Sequence, residues 1–332
     1  GLLPDMALFN YAYIRKEAVV SSQIEGTQSS LSELLLFEID QAPGVPTTDV
    51  REVARYVAAF EHGLSRLRDG FPLSSRLIRE IHEILLSDGR GHQADPGQFR
   101  KSQNWIGGSR PWNAIFVPPP PHRVPDCISD LERFIHDDGS VGSQVIKAGL
   151  IHVQFETIHP FLDGNGRVGR LLITLLLCNS GVLRDPLLYL SLFFKQNRAE
   201  YYRLLSVVRT EGDWEAWIAF YLRGIQTTAA HAVDTVERLN GLFAKDRELI
   251  AMEGRSGGSA MRVHEVFKAM PVLTIAEAAK RTELTVPTIT SAMKMLERLG
   301  VAKELTGKRR NRVFWYDEYA RILGEGTEPL EI

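Results

Sequence analysis

Twelve consecutive residues, His159 to Arg170, carry side chains of the kinds that bind phosphate. They read His-Pro-Phe-Leu-Asp-Gly-Asn-Gly-Arg-Val-Gly-Arg and lie within an otherwise apolar, helix-patterned region. Pro160 disfavours helical geometry at the residue before it, which predicts that His159 stands at the end of the preceding helix. A histidine has an ordinary pKa of about 6.5 and can act as a base near neutrality. The stretch therefore predicts a phosphate site and not a piece of core.

The centre of this stretch predicts an anion-binding turn at the start of a helix. Gly164 and Gly166 allow backbone angles that other residues resist, so that successive amides can point inward. Asn165 is a good N-cap, and the apolar run 168–177 that follows predicts a buried helix. A phosphate at that helix N-terminus would meet unpaired amides and the positive end of the helix dipole.

Three charged side chains complete the predicted site. Arg167 and Arg170 lie three residues apart on the predicted helix and share a face. Their forked guanidinium groups can hold phosphate oxygens through paired hydrogen bonds. Asp163 offers the hard oxygen ligand that Mg²⁺ prefers when it also binds substrate phosphates.

The run resembles the signature of the Fic family, His-Pro-Phe-x-Asp/Asn-Gly-Asn-Gly-Arg-x-x-Arg, at every specified position. The resemblance implies a mostly helical enzyme that moves AMP from Mg²⁺-ATP to a Ser, Thr or Tyr hydroxyl of a protein and releases pyrophosphate. It implies that His159 is the general base and Asp163 the Mg²⁺ ligand. The implied nucleotide-binding residues are Gly164, Asn165, Gly166, Arg167, Gly169 and Arg170. Kinase-type relatives carry lysine at the position of Gly166, so glycine favours nucleotide transfer.

A second pattern lies near the N-terminus, in the helix predicted over 11–26. Ser21 and Glu25 are one turn apart, and Gly26 predicts the end of the helix. Glu25 would meet the negative end of the helix dipole, which a cation from elsewhere would relieve. The segment resembles the inhibitory signature Ser/Thr-x-x-x-Glu-Gly/Asn that accompanies Fic domains. That resemblance implies that Glu25 pairs with Arg170, occupies the space of the γ-phosphate and acts with Ser21 as an intramolecular brake.

Residues 29–90 predict scaffold helices over 30–37, 48–68 and 74–86, in which we interpret His82 as a surface or internally satisfied histidine. Gly, Pro and aromatic residues then predict two short strands, 105–108 and 114–117, that form a hairpin over the site. By the resemblance this flap holds the target chain by strand addition. A plain surface hairpin explains the pattern equally well.

Two further interpretations concern the helices around the site. The helix predicted over 143–158 brings His152, Glu156 and His159 to one face, which allows the alternative of a metal hydrolase. Helices are also predicted over 189–205 and 214–225, followed by another over 228–252. Tyr202 is our candidate for stacking on the adenine, although aromatic stripes more often belong to the core.

The last 75 or so residues predict a separate module. A Gly- and Ser-rich segment, 254–259, predicts a flexible linker. Helices are predicted over 262–270, 274–281 and 286–299, and strands over 301–304 and 312–316. Together with the basic loop between the strands they resemble a winged helix-turn-helix domain. Residues 258–316 hold 11 Lys and Arg against 5 Asp and Glu, which favours DNA binding through residues 286–312, with Thr288, Thr290, Ser291 and Lys294 facing the groove. Protein docking is the alternative.

The whole chain has the composition of an ordinary globular protein. It has 332 residues, 44% of them hydrophobic and 24% charged, and a formal net charge of -2. Two cysteines, Cys127 and Cys178, argue against a disulfide framework. We find no signal peptide and no membrane-spanning run, and we expect a cytoplasmic protein.

The predicted fold class is mostly α: a Fic-fold helical core with a small β-hairpin flap, plus a winged helix-turn-helix domain. The predicted domains are an inhibitory segment 1–28, a catalytic domain 29–253 and a winged-helix domain 254–332. Two other functions stay open at this stage. One is a DNA-binding regulator whose Fic domain senses nucleotide, and the other is removal of AMP by water that Glu25 helps to activate. The sequence leaves the target protein and the oligomeric state open.

Overall fold

The computed structural model describes residues 6–39, 47–88, 91–137, 139 and 141–329. Residues 1–5 of the predicted inhibitory segment and 330–332 of the predicted C-terminal domain lie outside the described residues, as do 40–46, 89, 90, 138 and 140 of the predicted catalytic domain. In chain order the helices and strands are α1 Met6–Ile24, α2 Leu31–Phe37, α3 Thr47–Arg68, α4 Ser75–Leu85, α5 Val124–His136, α6 Gln144–Ile158, α7 Asn165–Asn179, α8 Ser191–Gln196, α9 Arg198–Glu211, α10 Trp214–Ala251, α11 Gly257–Ala269, β1 Val272–Thr274, α12 Ile275–Thr282, α13 Val286–Arg298, β2 Lys303–Glu304, β3 Val313–Trp315 and α14 Asp317–Gly324. The chain is therefore mostly helical, as predicted.

Helices α6 and α7 form the centre of the fold and pack along each other. Both are apolar on nearly every side, which is typical of helices buried in a core. In α7 every residue from Arg167 to Leu177 is buried. Helices α3, α4, α9 and α10 surround this pair. Among the described residues no helix combines the length and the apolar character needed to cross a membrane.

Helix α1 belongs to the interior. It packs against α3, α7, α8 and α11, and its residues from Ala12 to Ile24 are all buried. The chain leaves the helix after Ile24, and Gly26 follows with a positive φ of 100°, a conformation that glycine adopts without steric cost. The stop predicted at Gly26 is therefore confirmed. Because α1 is surrounded by protein, the position of its last turn is set by several neighbouring elements.

The boundaries of several predicted helices were wrong. The helix predicted over 189–205 is interrupted at Asn197 and divides into α8 and α9. In contrast, α10 is continuous through 38 residues and joins two predicted helices into one. The predicted flap strands reduce to one antiparallel bridge between Ile106 and Phe116. Glycines and prolines at both sides of this bridge limit how far a ladder can extend.

The predicted flexible linker was also wrong. Residues 254–256 form a 3-10 turn, and α11 begins at Gly257. Gly257 packs so closely on α10 that a Cβ there would lie 2.4 Å from the carbonyl oxygen of Ile250. The glycine is therefore required by close packing at the junction and does not make it flexible.

The C-terminal part contains α11 to α14 and a three-stranded antiparallel sheet in the order β1-β3-β2. Phe314 of β3 pairs with Leu273 on one side and with Glu304 on the other. The predicted helices and the two predicted strands are present; β1 was missed because three residues carry too short a pattern. This part packs on α10 and α1, and the Tyr316 hydroxyl donates to Asp246 Oδ2 at 2.6 Å.

Candidate active site

The loop between α6 and α7 is held from outside by residues that precede it in the chain. His159 ends α6 in the left-handed conformation, with φ 49° and ψ 60°, which is uncommon for a residue other than glycine. Arg100 Nε donates to the His159 carbonyl at 2.9 Å, and the Arg100 amide donates to Pro160 O at 2.9 Å. Asn104 Nδ2 donates to Phe161 O at 2.9 Å. These bonds keep the His159 backbone in its unusual conformation.

Helix α7 begins differently from the prediction. Its N-cap is Gly164, which has φ 77° and ψ 2°, and Asn165 is the first helical residue. The Asn165 side chain spans the loop instead: Oδ1 accepts from Phe161 N at 2.9 Å and Nδ2 donates to Phe161 O at 2.8 Å. The N-cap prediction for Asn165 was therefore wrong. The left-handed turn at Gly164 leaves the first amides of α7 without intrahelical acceptors.

The Glu25 carboxylate lies at this helix start. Its Oε1 is 2.6 Å from Arg170 Nη2, so the predicted contact is present. Ser21 Oγ accepts from Arg170 Nε at 2.9 Å, and Ser21 O accepts from Nη2 at 3.0 Å. A Cβ on Gly166 would be 2.3 Å from Glu25 Oε1. Gly166 is therefore required by the close approach of a carboxylate, since it is helical and needs no positive φ.

Both members of this pair are ionised. Partial burial opposes the charge on Glu25, whose side chain is 37% exposed, but Arg170, with Arg167, holds the pKa of the carboxyl below its usual range. The same carboxylate raises the pKa of Arg170 above its ordinary value against the opposing effect of burial. The first turn of α7 therefore carries an anion in this structure, and that anion comes from the chain itself.

The other arginine of the motif contacts different carboxylates. Arg167 is buried, and its guanidinium lies 3.7 Å from Glu52 Oε2 and 3.8 Å from Asp163 Oδ1. Asp163 Oδ1 also accepts from the Gly164 amide at 2.6 Å. The Asp163 side chain is 44% exposed, so a carboxylate edge faces solvent beside the helix start. One exposed carboxylate next to an anion site is the donor set that suits Mg²⁺ bound together with phosphate oxygens.

The metal hydrolase alternative is wrong, because His152 has no free ring nitrogen. Its Nδ1–H donates to Gly169 O at 2.9 Å, and its Nε2 accepts from the Tyr201 hydroxyl at 2.9 Å. Burial lowers the pKa of His152 to about 3, which keeps the ring neutral. No three His, Cys, Asp or Glu side chains within the described ranges group so as to hold a metal ion.

His159 lies at the C-terminal end of α6 and carries an uncharged ring. Burial lowers its pKa to about 4, with Arg209 adding to the effect, while the backbone carbonyl of Glu156 and the Glu25 carboxylate oppose it. The imidazole is therefore neutral at pH 7 and has one nitrogen free to accept a proton. Glu156 is the nearest carboxyl, with Oε2 3.9 Å from His159 Nδ1.

Sequence reasoning missed the role of His82. It is fully buried, accepts from the Gly97 amide through Nδ1 at 2.9 Å and donates to Asp163 O through Nε2 at 3.0 Å. Its ring stacks on Phe161 with centroids 3.7 Å apart. The histidine is satisfied, as one of the two predicted alternatives had it, and it ties α4 to the motif loop. Glu52 was missed too, since it belongs to no recognisable short motif. The contacts of Arg100 with the motif loop were also missed, although the segment 95–100 resembles a loop of Fic proteins.

Two predicted nucleotide contacts have distinct surroundings. Tyr202 is 37% exposed, and the Arg198 guanidinium lies 5.1 Å from its ring centroid. Burial and the nearby Glu25 raise the pKa of its hydroxyl to about 12. Gly169 instead packs against α6, because a Cβ there would lie 2.5 Å from Glu156 Oε1. The Gly169 carbonyl accepts a hydrogen bond from His152. Close packing on α6 therefore accounts for a glycine at this position.

Known proteins share both the sequence pattern and the architecture. The Fic/DOC family profile matches residues 72–177, and the profile of the Fic/DOC family N-terminal region matches residues 1–65. A probable protein adenylyltransferase of Aquifex aeolicus is 30% identical over 268 residues, which are 80% of this chain and 75% of that protein. A protein adenylyltransferase of Caenorhabditis briggsae is 29% identical over 205 residues, 55% of this chain and 38% of the relative.

Solved structures share the fold. A Fic family protein from Desulfovibrio desulfuricans superposes with a TM-score of 0.57 at 20% identity, over 95% of this chain and 88% of the other. A Fic domain containing signaling protein from Bacteroides thetaiotaomicron gives a TM-score of 0.56 at 19% identity, over 69% of this chain and 88% of the other. At these identities the likeness concerns the fold.

Proposed function

The chain belongs to the Fic/DOC family, and from this premise we propose that it is a protein adenylyltransferase that moves AMP from ATP to a hydroxyl side chain of a protein. The observation that carries the proposal is the convergence of three groups at one helix start. These are the amides of the first turn of α7, the buried guanidinium of Arg170 and the neutral imidazole of His159. Anion binding and proton removal are the two demands of this transfer.

In the proposed reaction His159 accepts the proton of the target hydroxyl while the hydroxyl oxygen attacks the α-phosphorus of ATP. A bond forms between that oxygen and phosphorus, the bond from phosphorus to the β-phosphate oxygen breaks, and pyrophosphate leaves. The first amides of α7 bind phosphate oxygens, and Arg167 and Arg170 balance the charge. Mg²⁺, held by Asp163 and phosphate oxygens, would supply further charge neutralisation. Tyr202, which is partly exposed, is the proposed contact of the adenine ring.

We propose that α1 restrains this activity. Glu25 occupies the anion site and engages Arg170 at 2.6 Å, so a γ-phosphate in the same place would meet a carboxylate. Two anions at one helix start repel each other, which disfavours the productive pose of the nucleotide. The brake acts by competition for Arg170 and the first turn of α7.

The segment 105–117 is the proposed platform for the target protein. Ile106 and Phe116 form one antiparallel bridge, and an extended target segment can continue such a ladder through main-chain bonds. Trp112 is 75% exposed and Ile115 is 71% exposed, so apolar side chains are available beside it. This mode of binding uses main-chain hydrogen bonds and imposes little preference for the sequence of the target.

The test of the function is transfer of label to protein from ATP labelled at the α-phosphate, with ATP labelled at the γ-phosphate as the matched control. Adenylyl transfer labels the target only from the α-position. Label transferred from the γ-position would indicate a phosphotransferase and overturn the proposal.

The C-terminal part favours a second candidate function, binding of DNA by a winged-helix module. The arrangement of α11, α12, α13 and the sheet supports this proposal, as does the exposure of the basic loop between β2 and β3. Lys308, Arg309 and Arg310 are all exposed there, and Ser291 and Lys294 are exposed on α13. Cations on one surface supply the phosphate contacts of DNA binders.

We expect the full chain to shift duplex DNA in a gel at low salt. Neutralising Lys308, Arg309 and Arg310 to glutamine is expected to weaken binding and to reduce the slope of log K against log salt by about 3, because three phosphate contacts are lost. Arg203→Gln, which neutralises an exposed arginine on α9 outside the C-terminal part, serves as the control. An unchanged salt slope in the triple variant would exclude the loop as the DNA contact.

A further inference from the structure

Two buried polar atoms beside the proposed base lack hydrogen-bond partners. They are Nδ1 of His159 and Oε1 of Glu156. The two side chains come from the last turn of α6, and Glu156 Oε2 lies 3.9 Å from His159 Nδ1. Buried polar atoms in native proteins are almost always paired, so unpaired atoms on two neighbouring side chains point to a contact that forms in the working state. Apo geometries of catalytic hydrogen bonds are often long and tighten with substrate bound.

The chemistry of the base requires a partner at Nδ1. A neutral imidazole carries one proton, and the nitrogen that accepts the substrate's proton must be the other one. If Nε2 is the base, Nδ1 carries hydrogen and needs an acceptor. The Glu156 carboxyl lies 3.9 Å from Nδ1 and accepts from no other side chain through Oε1. The Glu156 carbonyl also approaches the His159 ring but already accepts from Arg209, and the His159 carbonyl accepts from Arg100.

We propose that Glu156 is a positioning residue whose carboxylate accepts the Nδ1–H of His159 and keeps Nε2 free to take the substrate proton. The inference rests on the proposed adenylyl transfer, in which His159 is the base. Two neighbours hold Glu156 at its place. Arg209 Nη2 donates to the Glu156 carbonyl at 3.0 Å, and Gly169 leaves space for the carboxyl, because a Cβ there would collide with it.

The pair makes activity depend on pH near neutrality. Burial raises the pKa of Glu156 to about 7; Arg170 on α7 and Arg209 on α9 lower it, and Glu25 beyond α1 raises it further. Below this pKa the pair holds one more proton. If that proton is on the carboxyl, the carboxyl donates to Nδ1 and the single ring hydrogen is on Nε2. If it is on the imidazole, both ring nitrogens carry hydrogen. In both cases Nε2 cannot accept the substrate proton. Activity is therefore present above about pH 7 and falls as the pH drops through it.

The test uses the full chain carrying Glu25→Gly, with kcat and KM for ATP measured from pH 5.5 to 9. The parent is expected to show an acidic limb, a fall in kcat with falling pH, somewhat below pH 7, because the Glu25 carboxylate no longer raises the pKa of Glu156. Glu156→Gln keeps an acceptor but cannot titrate, so that limb should disappear while KM for ATP stays within about twofold. Glu156→Leu removes the acceptor and should lower kcat by roughly 100-fold. A Gln variant that keeps the limb, or a Leu variant with full kcat, would overturn the proposal.

A second readout needs no activity and so separates this inference from the proposed function. Nitrogen chemical shifts of ¹⁵N-labelled histidines report the tautomer, and His159 is assigned by its loss in His159→Asn. We expect the Nδ1–H form above pH 7 and a change below it that Glu156→Gln abolishes. The Nε2–H form in the parent at pH 8 would contradict the positioning role even if transfer is observed.

A different observation concerns the last turn of α1. The Gln23 amide is buried and makes three hydrogen bonds at 2.7 Å: Nε2 donates to Ser29 O and Thr327 O, and Oε1 accepts from Lys195 Nζ. Lys195 also donates to Gly326 O at 3.2 Å and to Glu328 O. Gly326 packs on Leu192, where a Cβ would be 2.9 Å away.

We infer that residues 326–328 lock the end of α1, and with it Glu25, in the blocking position. Gln23 precedes Glu25 by two residues, so a Gln23 side chain held by three hydrogen bonds leaves the Glu25 carboxylate little freedom to withdraw. The bonds are buried, and their loss leaves polar groups unsatisfied, which is what makes such a network rigid. This lock also rests on the proposed function, since it acts through the Glu25 brake.

Lys195→Met in the full chain is expected to raise labelling roughly fivefold or more, the scale of a modest coupling between sites. The same substitution in the Glu25→Gly background should change nothing further, because the brake is already absent. Gln23→Leu is a second variant, and Arg203→Met, on the surface of α9, is the control. Equal gains in both backgrounds, or no gain in either lock variant, would refute the lock.

Hydrogen exchange of the amides from Ser21 to Glu25 gives a measure of the lock that is independent of transfer. Exchange there should accelerate in Lys195→Met and Gln23→Leu. Unchanged exchange would contradict the lock whether or not the protein labels a target.

Discussion

Replacing His159 by alanine is expected to lower kcat for adenylyl transfer by roughly 10²- to 10⁴-fold, the usual contribution of a general base. The imidazole is neutral at pH 7 because burial lowers its pKa to about 4. Alanine cannot accept the proton of the target hydroxyl. KM for ATP should change little, since the amides of α7 and Arg170 remain. The measurement is initial rate of labelling from α-labelled ATP.

The backbone at this position calls for a matched variant. His159 has a φ of 49°, which alanine adopts with strain and asparagine tolerates better. His159→Asn therefore separates loss of the base from disturbance of the loop, and both variants should be inactive to a similar degree. His122→Ala, at an exposed histidine, should label as the wild type does. Labelling by His159→Asn at the wild-type rate would exclude the proposed mechanism.

Replacing Glu25 by glycine is expected to raise labelling by the order of 5- to 150-fold, the range of typical coupling free energies between competing ligands of one protein. The carboxylate pairs with Arg170 at 2.6 Å and abuts Gly166, so its removal opens both the cation and the helix start. Arg170 keeps its two bonds to Ser21 and stays oriented for phosphate. The rate of labelling and KM for ATP are the quantities to measure.

Stability against heat gives a second measure of the brake. Loss of Glu25 leaves the buried Arg170 guanidinium without its countercharge. Without nucleotide, the Glu25→Gly variant should therefore unfold at a lower temperature than the wild type. ATP then supplies the missing anion, and the rise in Tm on adding ATP should exceed that of the wild type. Glu25→Gln retains the size and a hydrogen bond but no charge, and should fall between the two. Equal ATP shifts in all three proteins would argue against competition at this site.

Local sequence predicted the motif loop well, because its geometry is short-range. Glycine at 164 adopts the left-handed turn, and the apolar run after it forms a buried helix. Asn165 shows the limit of such reasoning: it has the side chain of an N-cap, yet its amide pairs with Phe161 and the cap moves one residue earlier. Residue propensity predicted that the Asn165 side chain would bond to backbone. The folding of the motif loop determined that the partner is Phe161.

The sequence by itself determined the helical class, the motif from His159 to Arg170 and, through two resembling signatures, the meeting of Glu25 with Arg170. Only the tertiary structure decided what holds these groups. His82 and Arg100 reach the motif loop from 81 and 59 residues away, and Lys195 joins Gln23 to residues 326 and 328. Such contacts depend on how helices pack, and no local pattern encodes them. Packing also turned one glycine of the supposed linker, Gly257, into a close helix contact, because a residue without Cβ suits flexibility and close approach equally.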